Sequence, residues 1–151
     1  MDLFQENLKN WIIEYLKNRH LAFKNLEDIS DKDDHLIVKF KDKTSKVFCT
    51  HSIEKVYVAI NNASSEHLII VCYNTTENRD YLVKMWQIFT AMKFLTFYFV
   101  NPFSKLEKKW IIHPYTHSKV IEKGSIKQGI QSMFETVDIV SLVEIEKILK
   151  H

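Results

Sequence analysis

The chain has 151 residues, of which 46% are hydrophobic, 26% are charged and 13% are aromatic, and its formal net charge is +2. These proportions are typical of one globular domain over residues 1–151 and exclude a disordered chain. With only two glycines and two prolines, the sequence excludes the nucleotide-binding motifs that depend on a glycine-rich phosphate loop.

The two cysteines, Cys49 and Cys72, have no CxxC spacing. Such usage predicts a chain that works in a reducing compartment. The first ten residues carry acids and no apolar signal segment, and no apolar run reaches the roughly 18–20 residues that span a bilayer. The sequence therefore predicts a cytoplasmic protein with no membrane partner.

The first half of the chain contains one helical pattern and three strand-like patterns. Apolar residues three and four apart predict a helix over residues 3–19. The polar residues 28–34 predict a loop. Alternating apolar residues then predict a hairpin with strands at 35–41 and 46–51, followed by a third short strand near 55–60.

The second half begins with two strongly apolar segments, residues 68–73 and 94–100. Both carry apolar residues on both parities, as expected of strands that are covered on both faces. Residues 77–92 lie between them with helical spacing, and Asn74 with Glu77 has the spacing of a capping box. A strand, a helix and a strand in this order predict a parallel crossover.

The remaining residues complete the prediction of a single three-layer α/β domain with a mixed sheet. Residues 109–113 predict a shorter strand that ends at Pro114. Ser125 with Gln128 predicts the start of a helix that runs to about Glu135, and Ser141 with Glu144 predicts a last helix over 141–150.

The order of these elements over about residues 3–101, α-β-β-β-α-β with C-terminal helices, resembles the restriction-endonuclease-like core of the PD-(D/E)XK nucleases. The resemblance implies an acid on one strand and an acid-x-lysine motif on the next, which chelate a divalent metal that activates water. The corresponding strand here contains Val71-Cys72-Tyr73 and lacks the motif. The acid-x-lysine of this chain is instead Glu107-Lys108-Lys109, so the resemblance implies an active site that is missing or relocated.

Two pairs of residues are the catalytic candidates of the nuclease alternative. One is Glu107 with Lys109, and the other is His113 with His117. Histidines at i and i+4 bind zinc when they share a helix face, but Pro114 follows a strand and predicts an extended segment in which the rings need not converge. Cys49, His51 and Cys72 offer a further metal set, against which stands the ordinary interpretation of buried structural cysteines.

A lysine-rich stretch suggests a different partner. Between Lys84 and Lys127 the chain has eight lysines, no arginine and only two acids, Glu107 and Glu122. Interleaved aromatic residues could stack on bases while lysines neutralise phosphates, and the lack of arginine argues against reading of base edges. The candidate nucleic-acid contacts are Lys105, Lys108, Lys109, Lys119 and Lys123. The other interpretation is a solvated surface.

The sequence thus favours a non-catalytic binding or scaffold module without a cofactor or metal site, one that contacts the nucleic-acid backbone through a lysine-rich face. The first alternative is a degenerate metal-dependent nuclease or other hydrolase, for which a divalent metal would be the cofactor. The second is an interaction protein that forms homo-oligomers or binds a protein partner through the helix over 141–150.

Overall fold

A six-stranded mixed sheet forms the centre of the computed structural model, which describes residues 2–21, 24–63 and 66–151. The strands lie side by side in chain order. The middle strands β3, β4 and β5 are parallel, and the pairs β1–β2, β2–β3 and β5–β6 are antiparallel. The six strands are β1 (Leu26–Asp31), β2 (Leu36–Phe40), β3 (Thr44–Cys49), β4 (His67–Tyr73), β5 (Leu95–Val100) and β6 (Lys109–Ile112).

Helices cover both faces of this sheet and give three layers. One face is covered by α1 and α7, which contribute Ile12 and Ile145 to its core. The other is covered mainly by α2, α3, α4 and α6, with Ile60, Leu82 and Phe134 in its core. The α/β class predicted from the sequence is confirmed. The helices in the described residues are α1 (Leu3–Leu21), α2 (Ile53–Asn62), α3 (Thr76–Lys84), α4 (Trp86–Phe89), α5 (Pro114–Ser118), α6 (Ile126–Phe134) and α7 (Leu142–Leu149).

The parallel crossover predicted for the two most apolar segments is confirmed. β4 and β5 pair in parallel register from Leu68 with Leu95 to Tyr73 with Val100. Side chains on both parities of these strands are buried, because one set faces α1 and the other faces the opposite helical layer. The hairpin of β2 and β3 is also confirmed, with its turn at residues 41–43.

The predicted third strand near residues 55–60 is wrong, because these residues belong to α2. Ile53 and Ile60 are fully buried and Val56 packs beside them, so the core residues follow the spacing of a helix. Val58, which a strand would bury together with Val56, is 69% exposed. The alternation of valines alone misled the prediction. A helix is also what the topology needs, since β3 and β4 are parallel and require a crossover between them.

The predicted loop over residues 28–34 is wrong in its first half, which forms the edge strand β1. Polar side chains suit an edge strand that faces water, and only Leu26 and Ile29 of β1 pack against the core. The end of β1 is tied to α1 by Lys9, whose Nζ donates to Asp31 Oδ1 at 2.9 Å and to the Asp33 carbonyl oxygen at 2.6 Å. This hydrogen bond is the main cause that lowers the pKa of Asp31.

The single helix predicted over 77–92 is divided into α3 and α4 at Met85. Trp86 and Phe89 of α4 are both buried in the core. The predicted cap is displaced by one residue, since the side chain of Thr75 accepts the backbone N–H of Asn78. Asn74 is therefore free for other hydrogen bonds, described below.

The C-terminal helix begins with the predicted capping box of Ser141 and Glu144. Ile145 is buried against α1, while Val143 is 62% exposed and Ile148 is 47% exposed. These two side chains are the apolar surface through which an oligomer would form, and that interface stays a prediction. Among the helices of the described residues, none combines the length and the apolar character needed to cross a membrane.

Candidate functional site

The two predicted catalytic pairs lie at opposite ends of β6. Lys109 pairs with Val100 at the carboxyl end of β5, and its Nζ lies 3.5 Å from Glu107 Oε1. Its Nζ also lies 5.2 Å from the ring centroid of Tyr15. His113 follows the other end of β6, beside the first residues of β5. Glu107 and Lys109 therefore form an exposed ion pair that is separate from the histidines.

The residues after His113 form α5 and His113 is its N-cap, so the prediction of an extended segment is wrong. Pro114 occupies the first turn of α5, where its missing N–H is tolerated. The two imidazole rings stack with centroids 6.0 Å apart, and His113 Nδ1 lies 2.8 Å from Thr96 Oγ1. Partial desolvation lowers the pKa of His113, and the neighbouring His117 and Lys43 act in the same direction.

No metal centre is formed by these residues. Within residues 2–21, 24–63 and 66–151, no three His, Cys, Asp or Glu side chains converge closely enough to hold an ion. Cys49 and Cys72 face opposite sides of the sheet and are buried as free thiols. Burial raises the pKa of Cys49 to about 12 and also raises the pKa of Cys72, which agrees with their interpretation as structural cysteines.

The candidate nucleic-acid lysines are divided between two ends of the sheet. Lys105 and Lys108 are exposed in the loop before β6, close to Lys109, whereas Lys119 follows α5 beyond the other end of that strand. The four residues of β6 separate the two groups by about 10 Å of backbone. The side chain of Lys123 lies outside the described part of the structure.

Lys119 belongs to a basic cluster that the chain assembles where the parallel strands begin. The last turn of α1 supplies Arg19, the turn between β2 and β3 supplies Lys43, and the approach to β5 supplies Lys93. The topology brings these segments together. Because β2 and β6 run antiparallel to β3 and β5, they end at the edge of the sheet where β3, β4 and β5 begin. We call the amino edge the set Arg19, Lys43, His67, Lys93, Phe94, His113 and Lys119.

Contacts within the amino edge link its members. Arg19, Lys43, His67 and His113 line one cavity of about 220 Å³, together with Phe94 and one acid, Asp42. At its outer side Lys119 Nζ donates to the Tyr115 hydroxyl at 2.8 Å. This hydrogen bond is the main cause that lowers the pKa of Tyr115, and the charge of Lys93 adds to it. The surface is therefore electropositive beyond the rim of the cavity.

An exposed aromatic ring lies beside these cations. Phe94 is 39% exposed, and its ring centroid lies 4.4 Å from that of His67. Lys93 Nζ lies 5.6 Å from the same ring. An exposed ring among cations can take part in base stacking while the cations neutralise phosphates.

Open α/β sheets commonly bind ligands at the carboxyl ends of their parallel strands. In this protein the surface at those ends is less suitable for binding phosphates than the amino edge. The cavity there contains Glu54, Glu77 and Asp80 as well as Lys55 and Lys84. Its charges therefore do not favour one sign of ligand.

His51 lies at this end with Lys55 Nζ 3.1 Å from Nε2 and Asp2 Oδ2 3.7 Å from Nδ1. The side chain of Asn78 is fully used, since it accepts the Ile53 N–H and donates to the carbonyl oxygens of His51 and Tyr73. These hydrogen bonds hold the segments that follow β3 and β4, so the Asn78 side chain has no donor or acceptor left for a ligand.

The partly desolvated histidines predict an acid-sensitive fold. Desolvation and Lys55 lower the pKa of His51, as desolvation lowers that of His113. The unfolded chain therefore protonates first as the pH falls below about 6.5, so stability decreases until both folded histidines are also protonated. When the pH is lowered from about 7.5 to 5, the Tm measured by differential scanning calorimetry should fall less for the His51→Gln, His113→Gln double variant than for the wild type. Parallel curves would contradict this expectation.

Sequence reasoning identified His113, His117 and Lys119 but missed the residues that join them. Arg19 and Lys43 lie 100 and 76 positions before Lys119 in the chain. One signal was present for Lys43: a turn between β2 and β3 lies at the same edge as the start of β3. Phe94 was assigned to a buried strand because it precedes an apolar run. Comparison of the chain with protein-family models, curated proteins and solved structures finds no match.

Proposed function

We propose that this protein is a non-catalytic binding module that contacts the nucleic-acid backbone through its amino edge. The observation that supports this best is a set of four cations from four separate segments. Arg19 and Lys43 line one cavity, Lys93 lies over Phe94, which also lines it, and Lys93 and Lys119 both act on the Tyr115 hydroxyl. When such cations neutralise phosphates, the counterions condensed on the nucleic acid are released. This release is the main source of sequence-independent affinity.

The residue types support a sequence-tolerant mode of binding. Three of the four cations are lysines, which contact phosphates as point charges and do not form the planar fork that reads guanine. The ring of Phe94 can stack on any base, because every base has a π-face. We therefore expect single strands to bind more tightly than duplexes, whose bases are already stacked on one another.

We further propose that the fold is of the restriction-endonuclease-like class. The order α1-β1-β2-β3-α2-β4 supports it over residues 3–73 instead of residues 3–101. In this order β2 and β3, and not the strand with Val71-Cys72-Tyr73, correspond to the two acid-bearing strands of that family. Neither β2 (LIVKF) nor β3 (TSKVFC) contains an acid, so the carboxylates that would chelate metal in that family lack counterparts on these strands. This supports binding in preference to the nuclease alternative.

A fluorescence-anisotropy titration with a labelled single-stranded oligonucleotide at several salt concentrations tests the function. The wild type should bind at low salt, and log Kd should depend linearly on log salt. Lys43→Ala with Lys119→Ala should remove two contacts and flatten that slope by about 1.4 on a single strand. The control is Lys105→Ala with Lys108→Ala, an equal charge change at the other end of β6.

Four results would count against the proposal. Absence of binding at low salt, or a salt-independent affinity, contradicts nucleic-acid binding. An equal loss in both double variants contradicts the amino edge as its location. Cleavage of the oligonucleotide on addition of Mg²⁺ or Mn²⁺ would favour the nuclease alternative, with Glu107→Ala and His113→Ala as the variants that should abolish it.

A further inference from the structure

The cavity at the centre of the amino edge extends to the sheet itself. Its floor is made by side chains of neighbouring strands. Ser45 on β3 lies beside His67 on β4, and two residues further along the strands Ile69 on β4 lies beside Thr96 on β5, which contacts His113 after β6. These positions share the face that α1 covers, and Leu16 of α1 closes the cavity from above. The cavity is therefore a recess between the helix and the sheet.

Two buried hydroxyl groups in this recess have no hydrogen-bond partner in the described part of the chain. Ser45 is 1% exposed and Tyr98 is 9% exposed, and both line the cavity. Buried hydroxyls are nearly always hydrogen-bonded in folded proteins, so such a pair indicates a missing polar partner. Burial raises the pKa of Tyr98 to about 12, so its hydroxyl stays protonated and able to donate.

The charges around the recess determine the sign of that partner. Arg19 and Lys43 are cations that line it, and Asp42 is the acid that lines it. Donors outnumber acceptors, so an anion with several oxygens fits better than a cation or a neutral amide. The volume of about 220 Å³ is below the 300–1,000 Å³ of pockets for drug-sized ligands. It suits a phosphate group and not a whole nucleotide.

We propose that this recess binds a phosphomonoester, with Ser45 and Tyr98 donating hydrogen bonds to its oxygens and Arg19 and Lys43 neutralising its charge. This rests on the proposed function, because the phosphate is that of a nucleic-acid strand end. The terminal base then lies over Phe94 at the rim. A phosphodiester within a strand has two non-bridging oxygens and one charge, whereas a terminal phosphate offers three oxygens and nearly two charges.

Anisotropy competition with oligonucleotides that carry 5′-phosphate, 3′-phosphate or no terminal phosphate tests the strand end, and calorimetry with inorganic phosphate tests the free ion. The wild type should bind the oligonucleotide with one of the two phosphorylated ends about tenfold more tightly than the oligonucleotide without a terminal phosphate. Ser45→Ala and Tyr98→Phe should each abolish most of that preference, because a hydrogen bond to a charged group contributes about tenfold or more. Asp42→Asn should increase it.

The exposed Ser132→Ala on α6 serves as the control and should change nothing. The Tm of Ser45→Ala distinguishes a ligand role from a structural one. Because the Ser45 hydroxyl has no hydrogen-bond partner among residues 2–21, 24–63 and 66–151, its removal should leave the Tm of the free protein unchanged or higher.

The failures of the two proposals can be told apart. Equal binding of all three oligonucleotides, with no heat from inorganic phosphate, overturns the phosphate site while the proposed function stands. Binding of inorganic phosphate that Ser45→Ala abolishes, without binding of any oligonucleotide, keeps the recess as a phosphate site but refutes nucleic acid as its source. A fall in Tm for Ser45→Ala overturns the assignment of its hydroxyl to a ligand.

Discussion

Asn74→Ala should lower the free energy of unfolding by about 3–5 kcal/mol, among the largest effects expected of a single polar residue. Asn74 is completely buried just after β4. Its Nδ2 donates to the carbonyl oxygens of Phe134 and Val137, both at 3.0 Å, and its Oδ1 accepts from Trp110 Nε1 at 2.7 Å. Alanine would leave all three partners buried and unsatisfied. Asn74 therefore joins β4, β6 and the end of α6.

Chemical denaturation of Asn74→Ala and Asn62→Ala measures the effect against an exposed asparagine. Asn62 lies at the end of α2 and should change stability by no more than about 0.5 kcal/mol. Asn74→Asp should destabilise at least as strongly as Asn74→Ala, because its carboxylate would face two carbonyl oxygens. A loss below about 1 kcal/mol for Asn74→Ala would mean that water replaces the amide without cost.

The role of Asn74 shows what local patterns cannot reveal. Its spacing to Glu77 correctly indicated a helix start, but the cap itself is Thr75. The three hydrogen bonds of the Asn74 side chain reach residues 36 to 63 positions away. No spacing rule covers such distances, so the sequence indicated a turn and could not indicate the network that holds the C-terminal half.

Elements were predictable where burial was uniform along them. β4 and β5 are covered on both faces, so apolar residues are buried on both parities of each strand, and α1 buries Leu8, Ile12 and Leu16 at helical spacing. α2 and β1 were misread because each is only partly buried. Val58 points to water and completes a false alternation in α2, while β1 is an edge strand with two core residues. Topology would have corrected α2, because parallel neighbours require a crossover.

The candidate site was predictable only in its local parts. The stretch that includes His113 and Lys119 was identified by its basic character, and its helical turn was misread because Pro114 suggested only a strand end. The recess needs Arg19, Ser45 and Tyr98, which come from α1, β3 and β5. Each of these is an unremarkable residue in its own element, and only the pairing of the strands places them together.

Two phenylalanines near the start of β5 separate stability from binding, and substitution of each by alanine should give opposite results. Phe97 is fully buried, with its ring centroid 5.0 Å from Phe89 and 6.3 Å from Phe99. Phe97→Ala opens a cavity in the core and should cost about 3–5 kcal/mol. Phe94 is 39% exposed, so Phe94→Ala should cost about 1 kcal/mol or less.

Oligonucleotide affinity should show the reverse order under conditions in which both variants remain folded. Phe94→Ala removes the stacking surface at the amino edge and should weaken binding of a single strand about tenfold, near the lower end of the range for one stacked base. Phe97→Ala leaves the amino edge unaltered and should bind within about twofold of the wild type. Denaturation and anisotropy on the same samples measure both quantities. If Phe94→Ala binds as the wild type does, the ring takes no part in recognition, and the affinity must come from the cations alone.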